Sequence, residues 1–198
     1  FPTQEYHVPT ESELQKALTK VDASQIVIEG DQVTLGTGQQ MDLGGIAKGY
    51  TSARIMEIYR EYGITSGMVS LGGNVQTLGT RPDGKDWNIG IQNPDGQQGS
   101  LLAALPVENK AVITSGGYER YFEEDGNTYI HILNPKTGYP ADSGLVSVSI
   151  ISENGMLADA LSTSLYLMGK EKAAEYWRTH ADAFDMILED KYGILYVT

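Results

Sequence analysis

Short apolar segments alternate with turn residues along most of the chain, and this alternation constrains the possible fold more than any other feature. The turns "RPDGKD", "PDGQQG" and "EEDGN" contain the residues that suit hairpins and short loops. Strands are predicted at 26–28, 33–35, 67–73, 75–80, 86–94, 101–107, 110–116, 128–133, 144–151, 183–189 and 193–197. The chain is therefore expected to form a mixed or antiparallel sheet.

Apolar residues recur at helical spacing in a few places between the predicted strands. One such series predicts a helix over 45–62 that ends at Gly63. Shorter helices are predicted over 10–20, with Thr10 or Ser12 as the N-cap, and over 155–168 and 170–180. Many strands with a few helices indicate an α+β fold, and 198 residues without a linker indicate a single domain over 1–198.

The charge balance limits the classes of ligand. Fourteen basic residues against 26 acidic ones give a net charge of −12, which argues against a nucleic-acid-binding surface. A polyphosphate ligand would be repelled by this charge unless cations at its site offset the repulsion. The absence of cysteine excludes disulfides and thiolate chemistry.

The sequence gives no sign of a membrane-spanning or secretion segment. No apolar run approaches the roughly 20 residues that a transmembrane helix needs. The first segment, "FPTQEYHVPTESEL", is polar and contains two prolines, unlike a signal peptide. We therefore expect a chain that starts after processing, or a fragment.

The segment "DLGGIAKG" places Gly44 and Gly45 before a predicted helix, with Lys48 one turn inside it. It matches neither a Walker loop nor a dinucleotide-binding glycine pattern. Backbone N–H groups, the helix dipole and a lysine charge can together bind an anion. A tight packing turn with a surface lysine explains the same residues, so both interpretations stay open.

Two other glycine-containing segments stand at predicted strand ends, where backbone N–H groups can contact phosphate oxygens. They contribute these candidate binding residues: Gly72, Gly73 and Asn74 in "SLGGN", and Thr114, Ser115 and Gly116 in "VITSGGYERYF".

The predicted helix over 155–168 carries a possible metal site. Asp159 and Thr163 are four residues apart and therefore lie on one helical face. Their neighbours are mostly apolar, and a buried carboxylate needs a partner or a metal. Carboxylate and hydroxyl oxygens suit Mg²⁺. Alternatively, Asp159 makes a local cap or salt bridge and Thr163 bonds back to its own helix.

His131 is the third candidate. It alternates with Ile130 and Ile132 on a predicted strand that leads into the loop "NPKTGYP". A histidine in this position can transfer a proton. It can equally be a hydrogen-bonded packing residue.

Taken together and in order, five segments resemble the ApbE family of flavin transferases. They are "DLGGIAKGY", "SLGGN", "TSGGYERYF", "HILNPKTGYP" and "ADALSTSLYLMG", which span residues 41–169. The resemblance implies an ApbE-like α+β fold. It also implies an enzyme that cleaves FAD, attaches FMN through a phosphoester to a threonine or serine of a target flavoprotein, and releases AMP. Some relatives mainly hydrolyse FAD to FMN and AMP.

The resemblance also assigns roles to individual residues. It implies Mg²⁺ held by Asp159, Thr163 and the backbone oxygen of Ala47, and phosphate contacts near Lys48. His131 would be the proton acceptor, and Thr137 is a further candidate for the flavin nucleotide site.

Two departures from the family pattern affect these implications. Family members usually carry a longer N-terminal region that helps to enclose the flavin. Asn134 stands where the family often has aspartate, so a role that depends on that carboxylate does not transfer.

The hypothesis is therefore a Mg²⁺-dependent FAD:protein FMN transferase with FAD as substrate. The alternatives are an FAD pyrophosphatase, or a non-catalytic flavin-binding module if the remaining N-terminal part completes the cleft. Family members are commonly exported and lipid-anchored. We therefore expect a location on the outer face of the bacterial cytoplasmic membrane, with membrane attachment only through an anchor that this chain does not contain.

Overall fold

A computed structural model describes residues 6–94, 96, 97 and 99–198, and it shows helices combined with antiparallel strands. The helices are α1 (Glu11–Leu18), α2 (Ala47–Glu61), α3 (Gly155–Met168) and α4 (Lys170–Arg178). The strands are β1 (Val27–Glu29), β2 (Gln32–Thr34), β3 (Gly67–Leu71), β4 (Asn74–Leu78), β5 (Trp87–Gln92), β6 (Leu101–Val107), β7 (Ala111–Gly116), β8 (Tyr121–Glu124), β9 (Asn127–Ile130), β10 (Leu145–Ser152), β11 (Asp185–Asp190) and β12 (Leu195–Val197). The α+β prediction is confirmed.

The chain divides into two compact units. The first contains the described residues up to Asp42 together with Arg120–Ala141, and the second contains Leu43–Glu119 and Asp142–Thr198. The expected single domain over 1–198 stays a prediction, because compactness alone does not decide whether either unit folds by itself.

The first unit consists of α1 and two hairpins, β1–β2 and β8–β9. Thr10 is the N-cap of α1, and with Glu13 it forms a complete capping box. An aromatic stack of Tyr6, Phe122 and Tyr129 lies beside the β8–β9 hairpin, with ring centroids 5.2 and 5.1 Å apart.

The second unit is built on a six-stranded sheet with the order β12-β11-β10-β7-β4-β3. Every neighbouring pair in this sheet is antiparallel. The sequence left open a mixed or an antiparallel sheet, and the structure has the antiparallel form.

The two faces of this sheet are covered differently. Helices α2 and α3 pack on one face, where Ser52 of α2 bonds Gln76 of β4. The β5–β6 hairpin covers the other face with an apolar cluster. This cluster is Ile89, Ile91, Val107, Val112, Ile151 and Ile187. The helix face therefore carries the Ser52–Gln76 contact, and the hairpin face buries this apolar cluster.

The structure corrects two predicted elements around the β8–β9 hairpin. Glu123 and Glu124, expected in a turn, are paired in β8, and only Asp125 and Gly126 form the turn, with φ of 50° and 75°. The strand β8 is only half-buried, and its two glutamates hide the apolar alternation from which a strand is predicted. The prediction that His131 lies on a strand is also wrong, because β9 ends one residue earlier.

A smaller correction concerns Lys48. Helix α2 begins at Ala47, so Lys48 is the second helical residue rather than one turn inside the helix. None of the helices in the described residues is long and apolar enough to cross a bilayer.

Candidate functional site

Two glycines allow α2 and α3 to cross closely. A Cβ atom on Gly49 would lie 2.2 Å from the carbonyl oxygen of Gly155, and one on Gly155 would lie 2.3 Å from Oε1 of Gln76. Any larger residue would push the helices apart or displace Gln76. The crossing brings the first turn of α2 against the first turns of α3.

Asp159 connects the two helices at this crossing. Its side chain is buried, with 4% exposure, and Oδ2 accepts a 2.7 Å hydrogen bond from the Gly49 N–H. Gly49 is the third residue of α2, where N–H groups have no partner within the helix, and Ile46 at the N-cap supplies no side-chain bond. The carboxylate thus caps α2 from another helix, where the helix dipole favours a negative charge.

This contact bears on the alternative of a local cap or salt bridge for Asp159, and the metal role stays a prediction. The carboxylate does not cap its own helix, since Asn154 is the N-cap of α3. Its second oxygen, Oδ1, takes no hydrogen bond from the described residues and is available to a further ligand.

Thr163 lies one turn further along the same face of α3. Its Oγ1 is 3.1 Å from Oγ of Ser115 on β7, and a Cβ on Gly45 would lie 4.0 Å from the same Oγ1. Ser162 and Ser164 bond back to carbonyls of α3, whereas the partner of Thr163 is on the sheet. The structure therefore brings Gly45, Ser115, Asp159 and Thr163 together.

The available atoms fit a hard cation. A free carboxylate oxygen and a hydroxyl one turn apart are donors that Mg²⁺ accepts, together with backbone carbonyls and water. The carbonyl of Ala47 also accepts the Thr51 hydroxyl at 2.8 Å. The described residues contain no group of three or more His, Cys, Asp or Glu side chains suited to a metal, so the Mg²⁺ site stays a prediction that depends on one carboxylate.

Lys48 follows this cap at the start of α2. Its side chain is half-buried, and it forms no ion pair with the described residues. Its charge is thus available to an anion near the N-terminus of α2. Gly44 and Gly45 precede it in a turn in which the Ile46 and Ala47 N–H groups both donate to the Leu43 carbonyl. The turn leaves both interpretations of the two glycines possible.

The glycines of "SLGGN" have a structural explanation. Gly72 and Gly73 form the two-residue turn between β3 and β4, with φ of 58° and 92°, and two successive positive values favour glycine. Asn74 follows, with 1% exposure, and its Nδ2 has no hydrogen-bond partner among the described residues. A buried unpaired donor is unusual, so Asn74 is the strongest binding candidate of the three.

The segment Thr114–Gly116 is divided between the two faces of the sheet, because successive strand residues point in opposite directions. Ser115 faces α3, and Thr114 bonds Ser149 at 2.7 Å on the other face. The ring of Tyr118 covers Gly116, where a Cβ would lie 2.2 Å from a ring carbon. Burial raises the pKa of Tyr118 to about 12, and Glu119 and Glu189 add to the shift.

His131 and Thr137 belong to the first unit. The His131 N–H and its Nδ1 both lie 3.1 Å from the carbonyl oxygen of Arg120. A carbonyl can only accept, so Nδ1 carries the proton in neutral His131, and Nε2, which has no hydrogen-bond partner among the described residues, is the acceptor. The side chain is exposed.

The loop after His131 is stabilised by its own turns. Oδ1 of Asn134 accepts the Lys136 N–H at 2.9 Å, and Oγ1 of Thr137 accepts the Tyr139 N–H at 3.3 Å. These bonds explain Asn134 and Thr137 locally. A contact between Thr137 and the flavin nucleotide stays a prediction.

Two residues of the site were missed from the sequence. Gly49 is a glycine inside a helical pattern, which signals close packing, and it follows Lys48 directly. Ser162 lies between the predicted metal ligands, and its role depends on a contact with Ser115 that no local pattern shows.

Comparison with known proteins shows the family. A model of the ApbE family matches residues 1–188. The chain belongs to the ApbE family. It is 35% identical over 182 residues to an FAD:protein FMN transferase of Klebsiella pneumoniae, and 36% identical over 188 residues to one of Treponema pallidum. These matches cover 89% and 86% of the chain.

Solved ApbE structures have the same fold. An ApbE protein of Thermotoga maritima matches with a TM-score of 0.88 and 34% identity, over 97% of this chain and 62% of the other. The flavin transferase ApbE of Vibrio cholerae matches with a TM-score of 0.86 and 28% identity, over 99% and 63%. The chain spans about half the length of the curated relatives, 55% and 52% for those of Klebsiella and Treponema.

Proposed function

We propose that the protein transfers FMN from FAD to a threonine or serine hydroxyl of a target flavoprotein. The hydroxyl oxygen attacks the phosphorus of the FMN half, the bond to the bridging oxygen of the pyrophosphate breaks, and AMP leaves. Membership of a family whose relatives are named FAD:protein FMN transferase supports the reaction. The observation that carries it in this chain is Asp159, a buried carboxylate with one oxygen fixed by Gly49 and one that takes no hydrogen bond from the described residues.

The residues near the first turn of α2 would bind the pyrophosphate. Lys48, which has no ion-pair partner among the described residues, supplies a positive charge beside the N-terminus of a helix, which favours anions. This local charge offsets the repulsion expected from a protein with a net charge of −12. Gly45 is exposed and has no side chain, so its backbone would be accessible to phosphate oxygens.

Asp159 and Thr163, with the Ala47 carbonyl, would hold Mg²⁺. When bound, the ion supplies positive charge to the pyrophosphate oxygens and stabilises the departing AMP. Because the Gly49 N–H holds Oδ2, the free Oδ1 has a defined direction before any ligand arrives.

His131 would accept the proton of the attacking hydroxyl. The Arg120 carbonyl keeps the proton of neutral His131 on Nδ1, so Nε2 presents its lone pair. The same group can accept a proton from water, which gives FAD hydrolysis in place of transfer.

The decisive experiment is mass spectrometry of a threonine-containing acceptor peptide after incubation with protein, FAD and Mg²⁺. We expect an FMN adduct with the wild-type protein and none with Asp159→Asn. Asparagine retains an oxygen that can accept the Gly49 bond, so the variant should fold, whereas alanine would leave that buried N–H unpaired. Asp182→Asn, the same change at an exposed aspartate of the second unit, is the matched control.

Omission of the peptide separates the other two functions. FMN and AMP formed without an adduct in either reaction would indicate a pyrophosphatase. FAD retained without turnover would indicate a flavin-binding module. Equal adduct formation by wild type and Asp159→Asn would remove this carboxylate from the mechanism.

We also propose that the protein acts on the outer face of a bacterial cytoplasmic membrane, held there by a lipid anchor. The family resemblance supports this location. Fractionation of the producing cells tests it, since recovery of the protein with cytoplasmic markers would contradict it.

A further inference from the structure

Three hydroxyl groups form a continuous chain behind the proposed metal ligands. Oγ of Ser115 lies 3.1 Å from Oγ1 of Thr163 and 2.8 Å from Oγ of Ser162. Oγ of Ser162 lies 2.9 Å from the main-chain carbonyl oxygen of Asp159. Ser162 is fully buried.

Only one arrangement of the three protons makes all three contacts hydrogen bonds. The Asp159 carbonyl can only accept, so Ser162 must donate to it. Ser162 has a single proton, and therefore Ser115 must donate to Ser162. Ser115 then has none left for Thr163, and Thr163 must donate to Ser115.

This direction determines what Thr163 presents to a ligand. With its proton directed at Ser115, the remaining lone pairs of Oγ1 face away from the sheet. A cation binds hydroxyl lone pairs and is repelled by the proton. The hydroxyl chain thus holds the Thr163 hydroxyl in the orientation that a metal ligand needs. The hydroxyl does not have to rotate when a cation binds.

We propose that Ser115 and Ser162 are positioning residues that orient the Thr163 hydroxyl for a divalent cation. The inference rests on the metal site of the proposed function and extends it to two residues that do not bind the ion. It also changes the expected role of Ser115. Its hydroxyl proton is used within the protein, so its side chain does not donate to a phosphate.

The test is direct binding of Mn²⁺, which prefers oxygen ligands as Mg²⁺ does. The electron paramagnetic resonance signal of free Mn²⁺ measures how much of the ion remains unbound. We expect Ser162→Ala to weaken Mn²⁺ binding about ten-fold, the lower end of the range for partners of metal ligands. Without Ser162, the Ser115 proton turns to Thr163, and the Thr163 proton then faces the cation. Ser115→Ala should weaken binding as well, and Ser115→Thr, which keeps the hydroxyl, should restore it to within about two-fold.

Ser149→Ala is the matched control. Ser149 is buried and its hydroxyl pairs with Thr114 at 2.7 Å, on the other face of the same sheet. It should bind Mn²⁺ as the wild type does. Circular dichroism spectra of all variants establish that each is folded.

Two results would overturn the inference. One is wild-type Mn²⁺ affinity in Ser162→Ala. That result would mean that the hydroxyl of Ser162 does not orient Thr163, and that Ser115 only fills space beside it. The other is equal weakening in Ser149→Ala. Absence of Mn²⁺ binding by the wild type would overturn the inference together with the metal site, and the FMN adduct assay on the same preparation would then decide separately whether transfer survives.

Discussion

The crossing of α2 and α3 and the loop over 131–140 carry the two halves of the proposed chemistry, and they are stabilised in different ways. At the crossing, glycine backbones are in direct contact and the Gly49–Asp159 hydrogen bond is buried. The loop is mostly exposed, and turn bonds hold it, such as the 2.8 Å bond from the Asn134 N–H to the Tyr139 carbonyl.

This difference determines how rigidly the crossing and the loop hold their functional groups. Buried, dehydrated contacts fix positions because any shift breaks packing and hydrogen bonds together. Exposed turn bonds exchange with water at little cost, so local opening of such a loop needs less free energy. We therefore infer a rigid cation and phosphate side and a more adaptable proton acceptor.

The largest expected effect is on the crossing. Gly49→Ala should lower the free energy of unfolding by about 3 kcal/mol or more, since its Cβ would lie 2.2 Å from a main-chain oxygen that cannot move without the helix. Denaturant titration measures the change.

Gly45→Ala is the control for this variant, because its Cβ would be 4.0 Å from the nearest atom. Its stability should change by less than about 0.5 kcal/mol. Equal stability of Gly49→Ala and wild type would show that the crossing is not tightly constrained.

The next effect concerns the loop over 131–140, where we expect a change in reaction rate and almost none in the free energy of unfolding. His131→Ala should slow FMN transfer about 100- to 10,000-fold through loss of the proton acceptor, while unfolding changes by less than about 0.5 kcal/mol. Single-turnover adduct formation provides the rate.

His180→Ala is the matched histidine variant. His180 is exposed and its Nδ1 also contacts a carbonyl, that of Tyr176 at 2.8 Å. Transfer should keep its wild-type rate. A comparable loss in both variants would remove the specific role of His131.

A smaller effect distinguishes the loop from the crossing by its dynamics. Asn134→Ala removes the acceptor for the Lys136 N–H and should cost about 1 kcal/mol of local stability. Hydrogen exchange at Lys136 should accelerate, with exchange at Gly49 unchanged. Asn134→Asp retains the acceptor oxygen and should keep the protection, and acceleration in both variants would contradict the role of this turn.

The last effect appears only at alkaline pH and concerns Tyr118, a half-buried residue of the second unit. Its pKa, raised from 10.0 to about 12, means that the folded protein holds this proton more tightly than the unfolded chain. Its contribution is complete below pH 10 and is lost as pH rises from 10 to about 12.

Denaturant titrations across this pH range test the assignment. Tyr118→Phe should lose stability less steeply than the wild type, whereas Tyr192→Phe, at a position 77% exposed, should follow the wild type. Parallel curves for wild type and Tyr118→Phe would contradict it.

The sequence predicted the features that depend on local periodicity. The apolar spacing over 45–62 predicted α2, and the four-residue spacing of Asp159 and Thr163 placed them on one face of α3. It could not reveal the Gly49–Asp159 bond, whose partners are 110 residues apart. Contacts of this kind depend on how helices cross, which no local pattern encodes.

The misplaced elements have physical reasons too. The alternation of Ile130, His131 and Ile132 is typical of a strand. However, β9 ends at Ile130, because that is the last residue that pairs with β8. The glycine-containing pattern of Thr114–Gly116 predicts one binding element, whereas strand geometry places Thr114 and Ser115 on opposite faces of the sheet.

The donor that aims Asp159 is a main-chain amide, and this has an evolutionary consequence. Substitutions of other residues cannot delete that amide, and among the residues that could replace Gly49 only proline lacks it. Neighbouring side chains can therefore change during evolution while the main chain of α2 continues to orient the Asp159 carboxylate.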